Sequence, residues 1–470
     1  MTTDLNTRIQ TVAKTLEQNG QGHLLKYIDE LSDNQKLSFV EQLEKLDFGM
    51  LNDLIEKHVK NESHYELPEN ILPPEVYPLV PGDDLKEKYC QATKLGQNMI
   101  AANKVAAFTV AGGMGTRLSF DGPKGNFPAT PIKNKSLFNV FAEYIQASQK
   151  RYGSVIPWYI MTSPSNHAAT VKSFEDNNYF GLNPDDVMMF PQNMMPCFGF
   201  DGKIILAEKD SMALSPDGHG GSLRALYTSG AIDDMTKRGV EYISYFQIDN
   251  PIVYCVDPLF VGLHAMDKAQ MSSKAVIKCE PLEKVGNFTI VDGRVTVIEY
   301  SDLPDELAYQ KNEDGKLLFE SGSIAIHIIS RDFVQSINAK GFSLPWHRAV
   351  KKIPFIDNDG NTNNPEKPNG VKLESFVFDA LPLASESVIL GIDRDEQFAP
   401  IKNATGTDSI DSSRELQIAR ACRWLAAAGI EVPTGTPVEI SSDFALDPQE
   451  LKAKKSEIPP ITPGEELYLG

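Results

Sequence analysis

Residues 108–129, FTVAGGMGTRLSFDGPKGNFPA, combine a short apolar run with several glycines, an arginine and a lysine. An apolar run that ends in glycines is typical of a strand followed by a turn in which backbone N–H groups can approach an anion closely. Thr116, Arg117 and Lys124 lie within reach of the same point, where they can add hydrogen bonds and positive charge. The stretch therefore indicates a site that holds phosphate groups.

Two common phosphate-binding motifs do not account for this stretch. A Walker A loop requires Gly-x-x-x-x-Gly-Lys-Ser/Thr, and no register of residues 112–126 supplies it. The dinucleotide fingerprint requires Gly-x-Gly-x-x-Gly, but Leu118 stands where a third glycine should follow Gly113 and Gly115. The glycines therefore belong to a different class of phosphate site.

The elements that must position these residues follow an α/β pattern from about residue 100. The short apolar runs VAAFTV, IPWYIM, VMMF and YISYFQI are separated by segments long enough for helices, such as 136–151. Buried strands that alternate with helices predict a largely parallel sheet. Later, FTIVDGRVTVIEY has β-rich runs on both sides of Asp292-Gly293, which predicts a hairpin and an antiparallel addition, and so a mixed sheet.

The two ends of the chain have different patterns. Leu24, Leu25, Ile28 and Leu31 recur at helical spacing, and Ser32 with Gln35 predicts a capping box before a further helix. A Pro-rich connector, LPENILPPEVYPLVPGDD, cannot be helical throughout. A helix over 411–428 and Pro-spaced short runs indicate a small C-terminal domain. The predicted division is a helical N-terminal module with its connector (1–99), a central catalytic domain (100–385) and a C-terminal domain (386–470).

Composition excludes several classes of protein. Hydrophobic residues make up 41% and charged residues 23%, as in folded globular chains. The formal net charge of -19 would repel nucleic acid and anionic membranes, so a phosphorylated substrate must meet a local positive cluster. No apolar run approaches the roughly 18 residues that a membrane helix needs, and no signal peptide is evident, which predicts a cytoplasmic protein. The widely spaced cysteines predict reduced, mostly buried thiols rather than a zinc site or disulfides: Cys90, Cys197, Cys255, Cys279 and Cys422.

Motifs along most of the chain resemble a known enzyme family. AGGMGTRL followed by PKG resembles the signature of sugar nucleotidyltransferases, and GPKGNFP resembles the eukaryotic-type UDP-N-acetylglucosamine pyrophosphorylase and UDP-sugar pyrophosphorylase family. GQGHLLKYIDEL, FPQNMMPCFGFDGKIIL, SPDGHGGSLRAL, VIEYSDLP, KPNGVKLESFVFD and FAPIKNATG extend the likeness. The resemblance implies a Rossmann-like nucleotide-diphospho-sugar transferase domain. It also implies a Mg²⁺-dependent reaction in which UTP and a sugar 1-phosphate give a UDP-sugar and diphosphate.

The same resemblance implies roles for individual residues on the nucleotide side. Arg117 and Lys124 would hold the UTP phosphates, Lys402 in PIKNA would bring a further cation, and Gln192 would read the uracil edge, since an amide both donates and accepts. Asp249, which follows the apolar run 242–248, resembles the metal-binding Asp of the family, and phosphates and waters would complete the Mg²⁺ coordination. The positions implied to bind UTP are Gly112, Gly113, Gly115, Thr116, Gln192, Gly218, Gly220 and Lys372.

On the sugar side the resemblance implies contacts from His219, Gly286, Glu299 and Ser323. Two of these residues differ from those of the acetylglucosamine enzymes, in which Asn is usual at the positions of His219 and Ser323. The sequence GHG around His219 is similar to that of UDP-glucose and broad-specificity UDP-sugar pyrophosphorylases. N-acetylglucosamine 1-phosphate is the substrate favoured by the resemblance, and N-acetylgalactosamine, glucose and galactose 1-phosphates remain alternatives.

Two further hypotheses concern the activity itself. A UDP-sugar sensor or scaffold would keep the fold without turnover, but its expected signature, loss of Arg117, Lys124 or Asp249, is not present. A kinase-like phosphotransferase would release UDP instead of diphosphate, and the missing Walker motif disfavours it. The partners expected are therefore small molecules: UTP, sugar 1-phosphate, UDP-sugar and diphosphate.

Overall fold

The computed structural model describes residues 2–61, 67–339, 341–342 and 344–470. The chain groups into two compact units built from non-contiguous segments. The first unit contains the described residues of 1–66, 193–221 and 344–377, and the second contains those of 67–192, 222–343 and 378–470. This grouping differs from the contiguous division expected from the sequence.

The helices and strands follow the alternation that the sequence predicts. The α-helices are α1 (Thr2–Gln18), α2 (Asp33–Leu43), α3 (Phe48–Leu54), α4 (Asp83–Ala101), α5 (Leu137–Tyr152), α6 (His167–Asp176), α7 (Gly221–Thr228), α8 (Ala231–Arg238), α9 (Pro258–Met266), α10 (Asp305–Ala308), α11 (Arg331–Asn338), α12 (Arg394–Gln397), α13 (Ile410–Ala427) and α14 (Pro448–Ala453). The strands are β1 (Ile71–Leu72), β2 (Val105–Val110), β3 (Trp158–Thr162), β4 (Val187–Pro191), β5 (Met194–Pro196), β6 (Phe198–Gly199), β7 (Leu206–Glu208), β8 (Ser211–Met212), β9 (Leu214–Pro216), β10 (Tyr242–Gln247), β11 (Met271–Ile277), β12 (Gly286–Val291), β13 (Arg294–Ile298), β14 (Ser321–Ser330), β15 (His347–Lys351), β16 (Phe355–Ile356), β17 (Thr362–Asn363), β18 (Gly370–Glu374), β19 (Ile389–Gly391), β20 (Val438–Ile440) and β21 (Leu467–Leu469). Short 3-10 helices cover Gly22–Leu25, Ile28–Glu30, Thr116–Leu118, Lys124–Asn126, Asn178–Gly181, Pro184–Asp186, Val377–Leu383 and Lys455–Glu457, and a π-helix covers Ile55–Lys60.

The main sheet lies in the second unit and is mixed, as predicted. Strands β4, β3, β2 and β10 are parallel neighbours in this order, and β14 continues the sheet antiparallel to β10. Strands β2, β3 and β10 consist almost entirely of buried residues, because helices such as α4, α5 and α9 contribute to the same apolar core. In β4, the first strand in this order, only Phe190 is buried. The four apolar runs quoted from the sequence correspond to these four parallel strands.

The predicted hairpin is formed by β12 and β13. Val291 pairs with Arg294, and the two residues between them, Asp292 and Gly293, have φ values of 50° and 75°. Two successive residues with positive φ make the kind of tight turn that matches the twist of the flanking strands. The hairpin joins the main sheet where β12 pairs with β14, which places its inner strand beside the candidate sugar residues.

The register of the parallel strands brings their carboxyl ends to one edge of the sheet. Val110, the last residue of β2, pairs with Gln247 in β10 and with Met161 in β3, and Thr162 pairs with Pro191 at the end of β4. The segments that follow β2, β3, β4 and β10 therefore emerge side by side. Ligands of open α/β sheets bind at this edge, where the connections leave in opposite directions from neighbouring strands.

The first unit explains why the grouping is not contiguous. Apolar residues of the N-terminal helices, including Leu16, Phe39 and Leu51, share one buried cluster with Phe198 and Val371 from much later segments. The helices cannot bury their apolar faces without these strands, so three distant segments form one core. The predicted capping box is present, since Ser32 and Gln35 cap each other's backbone at the start of α2.

The C-terminal residues form a smaller cluster inside the second unit. Helix α13 begins at a second capping box, formed by Ser409 and Ser412, and buries Trp424 and Leu425 against residues of the parallel pair β20 and β21. Across the described ranges, no helix is long and apolar enough to cross a membrane.

Candidate active site

The glycine turn after β2 is held by backbone hydrogen bonds to the lysine segment that follows it. The N–H of Lys124 donates to the carbonyl of Gly113 (3.1 Å), and the N–H of Gly115 donates to the carbonyl of Gly122 (2.9 Å). These two bonds fold residues 119–124 back over the turn. The predicted association of the glycines with Lys124 is therefore built by the main chain itself.

Gln192 lies directly against the same turn. Its N–H continues the β3–β4 ladder by donating to Thr162 (2.8 Å), and the residue is only 8% exposed. A Cβ atom at Gly112 would lie 2.9 Å from the Gln192 Oε1 atom, so a larger residue at 112 would displace the end of this side chain. Glycine at residue 112 therefore lets the amide of Gln192 lie against the turn.

Lys124 and Asp249 form an ion pair at the carboxyl edge. The Lys124 Nζ atom lies 3.5 Å from the Asp249 Oδ2 atom, and the two side chains are 16% and 13% exposed. Asp249 follows β10, whose last residue pairs with the last residue of β2. The strand register thus brings the Asp249 carboxylate to the same sheet edge as the glycine turn, and the Lys124 ammonium lies beside it.

The segment that carries Lys402 is bonded to the same place. The N–H of Ile401 donates to the Asp249 carbonyl (2.8 Å), and the N–H of Ala399 donates to the Oδ1 atom of Asn250 (3.0 Å). Lys402 remains partly exposed and lies 3.8 Å from Asp408. The main chain therefore brings the segment that carries Lys402 next to Asp249 and Asn250.

Thr116 and Arg117 lie in the short 3-10 helix of residues 116–118, at the far side of the glycine turn. Both residues are exposed, so the guanidinium of Arg117 can reach a ligand from solvent. A Cβ atom at Gly113 would meet no atom within 4 Å, which leaves the backbone of the turn open to a ligand as well.

The donor set at Asp249 fits a magnesium ion. Within the described ranges no group of three or more His, Cys, Asp or Glu side chains could hold a metal ion. Mg²⁺ is commonly bound through one or two carboxylates together with phosphate oxygens and waters. The Asp249 carboxylate beside a phosphate-binding turn therefore suits Mg²⁺ and would not suit zinc, which needs several nitrogen or sulfur ligands.

The structure brings together Gly286, Glu299 and Ser323, the predicted sugar residues of the second unit. Gly286 in β12 pairs with Ser323 in β14. A Cβ atom at Gly286 would lie 2.5 Å from the Val297 Cγ1 atom, 3.5 Å from the Glu299 Oε1 atom and 3.7 Å from the Ser323 Cβ atom. A serine and a glutamate, both able to hydrogen-bond a sugar, thus lie close to Gly286, where Val297 leaves no room for a Cβ atom.

A bulge interrupts β14 immediately after this group. Ser323 pairs with Ala275, whereas His327 pairs with Ser273, so β14 has extra residues opposite Lys274. Ala325 within the bulge has φ of 54°, a conformation that an L side chain rarely adopts. Such strained bulges often lie beside functional sites, where they direct side chains out of the regular ladder.

The remaining predicted residues lie in the first unit. The loop 217–221 is held against the segment after β18, because Ser375 donates its N–H to Asp217 (2.8 Å) and accepts from the N–H of Gly220 (2.8 Å). Gly218 has φ of 86°, and a Cβ atom there would lie 2.3 Å from the Ser375 carbonyl oxygen. Lys372 precedes this segment in β18.

His219 is locked in that loop in its neutral form. Its Nδ1 atom accepts a hydrogen bond from the N–H of Val377 (3.1 Å), and its ring stacks on Phe376, with the centroids 5.2 Å apart. Burial, with a smaller contribution from His347, lowers the pKa of His219 to about 4. A neutral imidazole with this acceptor role is suited to hydrogen bonding and not to carrying positive charge at neutral pH.

Comparisons with known proteins identify the family of this chain. Residues 49–457 match the UTP–glucose-1-phosphate uridylyltransferase family. The chain belongs to this family. It is similar to UDP-N-acetylhexosamine pyrophosphorylase-like protein 1 of Xenopus tropicalis (37% identity, covering 91% of this chain and 87% of the relative). It is also similar to UDP-N-acetylglucosamine pyrophosphorylase of Saccharomyces cerevisiae (35% identity, 82% and 83%).

A solved structure extends the likeness to the fold of the family. The uridine diphosphate N-acetylglucosamine pyrophosphorylase of Trypanosoma brucei, crystallised with an inhibitor, has a TM-score of 0.84 and 25% identity to this chain. The match covers 98% of both chains. Family membership makes this protein a UTP-dependent sugar-1-phosphate uridylyltransferase with an α/β architecture, as the sequence motifs predict.

Two residues of this family member lie in the site but were not predicted from the sequence. Asn166 is completely buried after β3, where its amide bonds to the carbonyls of Ala111 and Gly113. It follows a buried strand in the parallel sheet, and the strand-end reasoning applied to Asp249 would have found it. Lys278 is 5% exposed and donates to the Asn287 Oδ1 atom (2.6 Å) beside Gly286. No sequence signal distinguishes Lys278 from a surface lysine.

Proposed function

We propose that this protein converts UTP and N-acetylglucosamine 1-phosphate to UDP-N-acetylglucosamine and diphosphate. The observation that carries the proposal is the convergence of Lys124, Asp249 and the Lys402 segment at the open glycine turn. The names of the relatives, which act on UDP-N-acetylhexosamines, support the choice of sugar.

The reaction is a single displacement at phosphorus. A phosphate oxygen of the sugar 1-phosphate forms a bond to the α-phosphorus of UTP, and the bond from that phosphorus to the bridging oxygen of diphosphate breaks. The attacking oxygen is already anionic, so no general base is needed. The chain must align two anions that repel each other and stabilise the charge on the α-phosphate and the leaving group.

The side chains divide this work according to their positions. The N–H groups of the glycine turn, together with Thr116, Arg117 and Lys124, bind the phosphates of UTP. Lys402, brought in by the bond between Ile401 and Asp249, stabilises charge on the phosphate that is transferred. Because the Lys124 ammonium is within 3.5 Å of the Asp249 carboxylate, it is held in place before substrate arrives. Preorganisation of this kind avoids reordering a flexible lysine during the reaction.

We assign Asp249 as the protein ligand of Mg²⁺. When bound, Mg²⁺ would neutralise phosphate charge and link phosphate oxygens to the protein. The fit of one buried carboxylate beside the phosphate-binding turn supports this assignment, and a dependence of the activity on magnesium would test it.

The base and the sugar are assigned to the remaining residues. Gln192 would read the uracil edge, and Gly286, Glu299 and Ser323 would contact the sugar. The family resemblance also assigns Gly218 and Gly220 to the base, His219 to the sugar and Lys372 to phosphate. The roles of these first-unit residues are proposed on the resemblance and on the hydrogen bonds that hold their own loop.

The negative net charge and the absence of a membrane helix in the described ranges are consistent with a cytoplasmic enzyme that acts on small molecules.

A second candidate substrate class has a specific observation in its favour. Ser323, which pairs with Gly286, presents a short hydroxyl where the acetylglucosamine enzymes have an amide. A shorter side chain would make one hydrogen bond fewer to the acetamido group, which would favour glucose or galactose 1-phosphate.

The test is diphosphate release from UTP and Mg²⁺ with N-acetylglucosamine, N-acetylgalactosamine, glucose and galactose 1-phosphates in parallel. The proposal expects the highest kcat/KM with N-acetylglucosamine 1-phosphate. A preference for a plain hexose would retain the reaction and replace the sugar. No diphosphate with any of the four would overturn the enzymatic proposal and favour a UDP-sugar sensor.

A further inference from the structure

Asn166 lies shortly after β3, immediately before the first residue of α6, and none of its surface reaches solvent. Its Oδ1 atom accepts from the N–H of Ser163 (2.8 Å). Its Nδ2 atom donates to the carbonyl oxygens of Ala111 (2.9 Å) and Gly113 (3.2 Å). Each polar atom of this side chain is therefore used, and the two acceptors are residues of the glycine turn.

The hydrogen-bond pattern defines the orientation of the amide. The Ser163 N–H can face only an acceptor, and the two carbonyls can face only a donor, so Oδ1 and Nδ2 cannot be exchanged. An aspartate in this place would keep the acceptor for Ser163 but would set a carboxylate oxygen against two carbonyl oxygens. Only the amide satisfies both sides.

The two carbonyls that Asn166 holds determine where the neighbouring N–H groups point. In a trans peptide the C=O and the following N–H are antiparallel. The carbonyl of Ala111 accepts from Asn166, and that of Gly113 accepts from Asn166 and from the N–H of Lys124 (3.1 Å), so the N–H groups of Gly112 and Met114 point away from Asn166. Within the described part of the chain, these N–H groups have no hydrogen-bond acceptor. A Cβ atom at the intervening Gly113 would meet open space, which leaves room for a ligand there.

We infer that Asn166 is a positioning residue for UTP: it fixes the peptide planes of the glycine turn so that the Gly112 and Met114 N–H groups are aimed at phosphate. This inference rests on the proposed function of the turn. Asn166 does not touch the substrate, and it acts on binding through the main chain. Preorganised N–H donors bind anions well because no reorientation is required when the ligand arrives.

The experiment compares Asn166→Ala and Asn166→Asp with wild type by isothermal titration of UTP and by steady-state kinetics. Both variants should weaken UTP binding and raise the KM for UTP by about tenfold or more, since displaced positioning groups cost up to about a hundredfold. The KM for the sugar 1-phosphate should stay within about twofold of wild type, because the turn does not hold the sugar.

Gln146→Ala is the matched control. The Nε2 atom of Gln146 also donates to two carbonyl oxygens, those of Ala142 and Phe180, but it does so within α5 and the loop before β4, away from the carboxyl edge. The Gln146→Ala variant should lower the melting temperature, as the Asn166 variants do, and should leave the affinity for UTP unchanged. UTP affinity in Asn166→Asp equal to that of wild type would overturn the inference.

A measurement on the wild-type protein covers the case in which both variants fail to fold. Hydrogen–deuterium exchange of the peptide that spans residues 111–115 should slow when UTP is added. Unchanged exchange at saturating UTP would also overturn the inference. UTP binding is measured without turnover, so a wild-type protein that binds UTP and releases no diphosphate would refute the proposed reaction and leave the role of Asn166 standing.

Discussion

The Lys124 ammonium lies 3.5 Å from the Asp249 carboxylate, although the two residues belong to different strand ends of the sheet. Both side chains are largely buried, so water screens this interaction much less than it screens a surface ion pair. The pair places the Lys124 cation and the candidate metal ligand Asp249 beside the glycine turn. It is the relationship on which the proposed chemistry depends most directly.

Lys124→Ala should lower kcat by two or more orders of magnitude, since it removes a cation from the phosphates that react. The melting temperature should fall moderately, because Asp249 loses its partner while the backbone bond from residue 124 to Gly113 remains. Steady-state kinetics and thermal denaturation measure both effects. Lys172→Ala, which removes an exposed pair with Asp176 (2.9 Å), is the control and should alter neither quantity. A large loss of stability in Lys124→Ala would show that the lysine is structural.

Asp249→Asn should raise the magnesium concentration needed for half-maximal activity, because a neutral amide is a much poorer Mg²⁺ ligand than a carboxylate. A magnesium titration of diphosphate release measures this change. Asp292→Asn provides the control, since Asn-Gly forms the same hairpin turn and lies away from the glycine turn. If the titration curve of Asp249→Asn coincides with that of wild type, Asp249 is not the metal ligand.

Ser323→Asn should shift the ratio of N-acetylhexosamine to hexose turnover towards the acetylated sugars, by about tenfold. The physical reason is that an amide can hydrogen-bond the acetamido group where a hydroxyl now stands. The ratio of kcat/KM values for N-acetylglucosamine and glucose 1-phosphates measures this shift. An unchanged ratio would contradict the assignment of Ser323 to sugar recognition.

Lys278→Met should raise the KM for the sugar 1-phosphate and leave the KM for UTP within about twofold. Lys278 donates to Asn287, whose own amide donates to Ile298 (3.2 Å), and these contacts hold the strands that carry Gly286 and Glu299. Burial lowers the pKa of Lys278, so methionine replaces a costly buried ammonium with an apolar chain of similar length. Lys284→Met changes an exposed lysine of the same loop and should have no effect. Equal changes in both KM values would indicate a general structural role.

The free energy of unfolding should fall as the pH falls below 6.5. His264 is fully buried, and its ring nitrogens lie 2.8 and 2.9 Å from the Oγ atoms of Ser272 and Ser330. Burial lowers its pKa from the ordinary 6.5 to about 3, so the unfolded chain takes up the proton first. The stabilising contribution is complete above pH 6.5 and is lost as the pH falls towards 3, by about 2 kcal/mol between pH 7 and pH 5.

Urea denaturation of wild type and of His264→Gln across this pH range measures the effect. Glutamine keeps a polar side chain that does not titrate, so the variant should lose less stability than wild type on acidification. Parallel pH dependences for the two proteins would contradict the role of His264. His219, whose pKa is lowered to about 4, contributes in the same direction in both proteins and therefore cancels in the comparison.

Much of the fold was predictable because its signals are local. The four parallel strands, helices α5 and α13, the capping box at Ser32 and the hairpin at Asp292-Gly293 lie where periodicity and turn chemistry predicted them. The glycine turn was likewise recognisable, since its residues are contiguous. Each of these signals depends on residues only a few positions apart in the sequence, so it can be recognised without knowing the tertiary structure.

Other relationships became visible only in the tertiary structure. The ion pair of Lys124 with Asp249, the bond that brings Ile401 to Asp249, and the two carbonyls held by Asn166 join segments from separate parts of the chain. The same is true of the first unit, where helices from the N-terminus share a core with strands from two later segments.

The sequence by itself determined the element types, the family and the set of residues able to do phosphate chemistry, because the local backbone preferences and contiguous motifs carry that information. The tertiary structure decided which of those residues meet, and at what distance. That outcome depends on strand register and on the burial of apolar faces contributed by distant segments, which no local pattern specifies.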